Sequence, residues 1–112
     1  MTGAPRVDPV EGQLEAYNAR DAERFARFFT DDVVIDDAAG ARLMTGRDEL
    51  RARYGEMFAA TPGLRCEVRS RLRAGRFVVD DEHVTGRGPE PLHVIVVYTL
   101  RDDLIAHVRV LR

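Results

Sequence analysis

None of the 17 basic residues in this 112-residue sequence is a lysine, and there is one cysteine, one serine and no long block of like charge. The 17 arginines and 19 acidic residues nearly cancel to a formal net charge of −2, which leaves no basic patch for a nucleic acid or an acidic membrane surface. No apolar run approaches the roughly 18 residues that span a bilayer, and the opening "MTGAPRV" lacks the apolar stretch of a signal peptide, so a soluble, cytoplasmic protein is expected. Cys66 has no second cysteine to pair with and no neighbouring His or Asn to activate it; at an alternating strand position it reads as a small core residue. Ser70, the single serine, stands within a strand rather than on the sharp turn that exposes a nucleophile. His83, His93 and His107 are ten or more residues apart and lack the His-x-His or His-x-x-x-His spacing of a metal site. The glycines of "TGRGPEP" lie between two strands rather than between a strand and a helix, where a phosphate cradle would need them. Neither metal nor cofactor is expected.

What remains is enough for one compact domain, residues 1–112, whose 45% hydrophobic content can build a core without disulfide or metal. "DPVEGQLEAYNARD" opens with Asp8 as a helix cap, Pro9 in the first turn and Glu11 three residues after the cap. Val10, Leu14 and Tyr17 form its apolar stripe, and Gln13 falls on the same face, which points an amide inward. Asp21 caps a second short helix carrying Phe25, Phe28 and Phe29. A strand at Val33–Asp36, a tight "DAAG" turn and a return strand "ARLM" follow. A third helix begins at Thr45 or Asp48, places Leu50, Tyr54, Met57 and Phe58 on one face, and ends at "TPG".

The second half predicts a four-stranded meander. In "LRCEVRSRLR", Leu64, Cys66, Val68 and Leu72 alternate with a basic outer row that includes Arg71. "RFVVDDEHVTG" must turn either Asp81 with His83, or Asp80 with Glu82, toward the interior, unless a bulge intervenes. "LHVIVVYTL" is apolar on both faces, with Val94, Val96 and Tyr98 on one and Ile95 and Val97 on the other. "LIAHVRVL" closes the chain with Val108 and Val110 on a shared face. Helices followed by strands imply an α+β fold in which a curved antiparallel sheet bends over the helices and can enclose a pocket.

"AYNARDAERFARFFTDDVVIDDAAG", "TGRDELRARYGEMF" and the final "LIAHVRVL" together resemble the nuclear-transport-factor-2-like (NTF2-like) superfamily, and within it the bacterial SnoaL-like, ketosteroid-isomerase-like proteins. The resemblance covers nearly the whole chain and implies a cone-shaped, usually homodimeric domain. It also implies that Asp37 matches the isomerase's general base and Tyr54 its supporting tyrosine, the two catalytic candidates. The isomerase's two oxyanion donors fall at Gln13 and Val96; the first is an amide and the second cannot donate.

The ligand-lining set expected on these grounds is Gln13, Tyr17, Met57, Phe58, Asp81, Val96 and Val108, around a small apolar molecule. One reading is an isomerase or lyase that needs no cofactor and moves a proton on a small apolar carbonyl compound, with Asp37 as base and Gln13, Tyr17 or Tyr54 polarising the substrate. The other is a non-catalytic pocket protein or dimeric accessory module. The plain reading of Asp37 is a turn acid bonded to local backbone N–H groups. The two-sided apolar strand 92–100 calls for a cover on its outer face, and a second copy of the chain is the simplest one.

Overall fold

The structure, a computed structural model, describes residues 7–112. Asp8 caps helix α1 (Pro9–Asn18) by accepting the Val10 N–H at 3.1 Å, and Pro9 sits where its missing N–H would have no partner. Asp21 caps α2 (Ala22–Ala26) through the Arg24 N–H. That helix is short, because Phe29 already belongs to strand β1 (Phe29–Asp37), which therefore starts four residues earlier than the sequence suggests. Strand β2 (Arg42–Thr45), helix α3 (Arg47–Ala60) and strands β3 (Arg65–Ala74), β4 (Phe77–Thr85), β5 (Leu92–Arg101) and β6 (Leu104–Leu111) complete the chain.

The six strands form one sheet in the order β2-β1-β6-β5-β4-β3. Strands β3 to β6 are the expected antiparallel meander. Strand β1, however, pairs with β6 in parallel; a long connection through α3 and four strands separates them, so no tight turn imposes the antiparallel sense. The helices cover the inner face, where an aromatic cluster fills the gap: the Phe25 ring lies tilted at 4.6 Å from Tyr54 and 4.9 Å from Phe29, and Phe58 meets Tyr17 edge-on at 5.4 Å. The result is the α+β, curved-sheet cone expected from the sequence. Among the described residues, no helix is long and apolar enough to cross a membrane.

A register shift in β3 between Val68 and Ser70 changes which side chains face inward. Strict alternation would bury Leu72 and expose Arg71. The extra residue reverses both: Leu72 is 68% exposed, and Arg71 turns in to meet fully buried Asp80 with two hydrogen bonds of 2.6 and 3.0 Å. Arg71 also reaches Glu11 on α1 at 2.7 Å, so one guanidinium ties the first helix to the sheet. Both carboxylates stabilise its charge and raise its pKa further above the usual arginine range, Asp80 most strongly.

Candidate active site in the cone cavity

The helices and the inner face of the sheet enclose a cavity of about 380 Å³. Its walls are mainly apolar, from Leu14 and Phe25 on the helices to Val94, Val96 and Val108 on the strands. Strand β4 contributes the acid. Val78, Asp80, Glu82 and Val84 are its buried row, and among the described residues Glu82 is the one Asp or Glu that lines the cavity. Asp81 faces the other way, with Oδ1 2.6 Å from His93 Nε2, so the expected ligand role of Asp81 has no place at the cavity. Alternation left two choices for this strand; its register against β5 sets Asp80 and Glu82 opposite the buried Val96 and Val94, and there the half-buried Arg71 gives Asp80 a bidentate partner.

Glu82 sits at the centre of a hydrogen-bonded chain. The Tyr98 hydroxyl donates to Glu82 Oε2 at 3.1 Å, and the Cys66 thiol approaches Oε1 at 3.4 Å. Gln13 donates one amide hydrogen to the Tyr98 oxygen at 3.2 Å and the other to the Val10 carbonyl at 3.0 Å. Gln13 thus reaches the cavity wall, but both of its donors are engaged in holding Tyr98. Burial raises the Glu82 carboxyl to about 7; the nearby Asp80 charge adds to the rise, and the Cys66 and Tyr98 donors oppose it. Burial also pushes the Cys66 thiol and the Tyr98 hydroxyl upward, so both keep their protons and remain donors.

Two further hydroxyls face the same space. Tyr17 and Tyr54 line the cavity, and neither hydroxyl has a hydrogen-bond partner among the described residues. Burial raises both above the ordinary tyrosine value, so they too stay protonated. Met57, Val96 and Val108 lie on the wall as the sequence suggests, whereas Phe58 is buried behind it in the aromatic cluster.

Asp37 is not among the side chains that line the cavity. Its Oδ1 accepts the N–H groups of Ala39 at 3.0 Å and Ala41 at 2.9 Å, so the carboxylate is spent on closing the turn between β1 and β2. Its neighbour Asp36 is on the outer side of the sheet, held by Arg42 Nε at 2.7 Å and His107 Nε2 at 2.8 Å. The His107 and Arg42 contacts keep the Asp36 carboxyl below the usual carboxylate range. Strand β1 therefore ends on two acids for two structural reasons.

The outer face also carries the one metal-type donor set found among the described residues. His83 and His93 are direct partners in the β4–β5 register and stack at 4.9 Å, and with Asp81 they place three ligand atoms within 4.8 Å of one another. Linear spacing cannot show this, because the pairing of two strands brings the residues together. The set lies across the sheet from the cavity.

This geometry defines a cone-shaped α+β domain with an apolar cavity and a buried acid. The chain belongs to the SnoaL-like domain family, whose model matches residues 10–108. Among solved structures, it is similar to an uncharacterised cystatin-fold protein from Novosphingobium aromaticivorans (26% identity, 98% of this chain and 100% of that one, TM-score 0.86). A candidate polyketide cyclase from Sinorhizobium meliloti shares 23% identity over 94% of each chain, with a TM-score of 0.80. A candidate ketosteroid isomerase from Kribbella flavida shares 24% identity over 92% of this chain and 73% of that one, with a TM-score of 0.78. These likenesses establish the fold, and the family match bears out the SnoaL-like resemblance read from the sequence. No curated protein matches the sequence.

Proposed function

We propose that the cavity takes a small, mostly apolar carbonyl compound and moves a proton on it, with Glu82 as the acid–base group. The observation that carries this reading is a buried carboxyl, raised to about 7 and facing an apolar cavity beside two unpartnered tyrosine hydroxyls. A carboxyl poised at that value is ionised often enough to remove a proton and protonated often enough to return one. Removal of a proton from carbon next to a carbonyl leaves negative charge on the carbonyl oxygen, and Tyr17 or Tyr54 would donate a hydrogen bond to it. Tyr98 holds Glu82 in place, and Gln13 holds Tyr98. The reaction class is isomerase or lyase. The candidate cyclase and candidate isomerase of the same fold agree with that class at the level of architecture only.

The test is hydrogen exchange in deuterated water with a panel of small aryl and alkyl ketones, followed by proton NMR. The wild type should exchange the protons next to the carbonyl, and Glu82→Gln should lose about 100- to 10,000-fold in rate. Exchange that is unaffected by Glu82→Gln would remove Glu82 from the chemistry. One observation favours a second reading, a pocket that binds without catalysis: Gln13 and Val96, the positions matching the isomerase's oxyanion donors, offer the cavity no free hydrogen. Tight binding of the ketones with no exchange in any of them would support that reading.

A further inference from the structure

Four charged side chains line the cavity, Arg53, Glu82, Arg87 and Arg112. Glu82 is buried and hydrogen-bonded inside, whereas the three arginines are exposed. In a chain of net charge −2, the exposed charged side chains at the rim of this cavity are therefore all positive. Most arginines here are paired with carboxylates, as Arg24, Arg42, Arg71 and Arg101 are. Arg87 and Arg112 have no carboxylate partner among the described residues. Arg53 has only Glu49, at 3.4 Å between two exposed side chains, a pair that solvent weakens and a ligand can displace.

The backbone that carries Arg87 is fixed. Gly86, the residue before it, has φ +88°, and a Cβ there would lie 2.2 Å from the Gly63 carbonyl oxygen, so the β4–β5 loop rests directly on the loop that follows α3. The charges of Arg87 and Arg112 are felt inside: Arg87 opposes the rise of the Tyr17 and Tyr54 hydroxyls, and Arg112 that of Tyr54.

We propose that the ligand is an apolar carboxylic acid, whose hydrocarbon or aryl body occupies the cavity while its carboxylate is held at the mouth by Arg87 and Arg112, with Arg53 beside them. A planar guanidinium matches a carboxylate with two parallel hydrogen bonds, and a site built from arginine alone suits that recognition. Combined with the proton transfer proposed above, on which this reading rests, the substrate class narrows to keto acids: the acid at the mouth, the ketone deeper, within reach of Glu82 and the tyrosines. The anchored end also fixes which carbon faces Glu82.

The experiment pairs aryl and alkyl keto acids, β-benzoylpropionate among them, with their methyl esters, and measures both binding by calorimetry and hydrogen exchange in deuterated water. In the wild type the acid should bind about tenfold tighter than the ester, and the difference should shrink as salt is added. The double variant Arg87→Ala/Arg112→Ala should erase the preference of acid over ester, while Arg27→Ala, which removes an exposed arginine outside the cavity lining, should keep it. Acids that bind no better than their esters across the panel, or a preference that survives the double variant, would overturn the proposal. Glu82-dependent exchange in the esters would then leave the proton-transfer reading standing. An arginine-dependent preference for acids with no exchange would instead leave the anion site standing and defeat the proton-transfer reading.

Discussion

The Tyr98 hydroxyl and Glu82 Oε2 are 3.1 Å apart on the adjacent strands β5 and β4, and this bond opposes the burial that drives the Glu82 carboxyl upward. Tyr98 favours the ionised acid by donating to it. Tyr98→Phe should therefore raise Glu82 above about 7, and the pH at which exchange activity reaches half its maximum should move upward with it. A pH–rate profile that keeps its midpoint would show that Tyr98 only fills space.

The same shift makes stability depend on pH. Between the ordinary glutamate value of 4.5 and about 7, the folded chain keeps a proton on Glu82 that the unfolded chain has released. The contribution of Glu82 is thus most favourable below that window, falls as pH rises through it, and levels off above about 7. At about 1.4 kcal/mol for each pH unit, the loss is about 3 kcal/mol. Glu82→Gln should flatten this part of the profile and be the more stable protein at pH 8 by denaturant unfolding; an unchanged slope would contradict the burial of an ionisable Glu82.

Asp37 offers the opposite expectation. Asp37→Ala removes two hydrogen bonds from the turn and should cost about 1–2 kcal/mol in stability. Exchange activity measured on the folded variant should be that of the wild type. A loss comparable to that of Glu82→Gln would return Asp37 to the mechanism.

Arg71→Met should be costly, because it strands Asp80 as an unpaired, fully buried carboxylate: about 3–5 kcal/mol by thermal or denaturant unfolding. The double variant Arg71→Met/Asp80→Leu should recover most of that loss. A double variant as unstable as the single one would mean that the ion pair does more than neutralise itself.

The fold was legible in the sequence where periodicity and caps agree. Asp8 and Asp21 cap the first two helices, and Leu50, Tyr54, Met57 and Phe58 fix the inward face of the third. The site was legible only in part. Gln13, Tyr17, Tyr54 and Val96 reach the cavity because simple spacing governs α1, α3 and β5. The cavity-facing carboxylate was not singled out, because position in the chain cannot distinguish a carboxylate that closes a turn from one that faces a cavity; Asp37 matches an isomerase pattern, yet its oxygen accepts two backbone N–H groups. The choice between Asp81 and Glu82 depended on the register of β4 against β5, which sets Asp80 and Glu82 opposite the buried Val96 and Val94, and β4 alone does not record it. The pairing of His83 with His93 depended likewise on register.

The outer face of the sheet leads to a prediction about assembly. Val79, Ile95, Val97 and Leu111 are only half-buried there, and Leu72 lies next to Val79 with 68% of its surface exposed. We propose that a second copy of the chain covers this face in a symmetric homodimer. Light scattering at micromolar concentration should give twice the 12.6 kDa chain mass, and Val97→Glu should halve it. A monomer in the wild type would refute the proposal.

The proposed chemistry requires an acid in the cavity that is tuned to neutral pH. Carbon-13 NMR of the glutamate side-chain carboxyls, with Glu82 assigned from the spectrum of Glu82→Gln, follows that single group through a pH titration. Glu82 should titrate with a midpoint at about 7, well separated from the surface glutamates. A Glu82 carboxyl that titrates with them, near the ordinary value of 4.5, would contradict it.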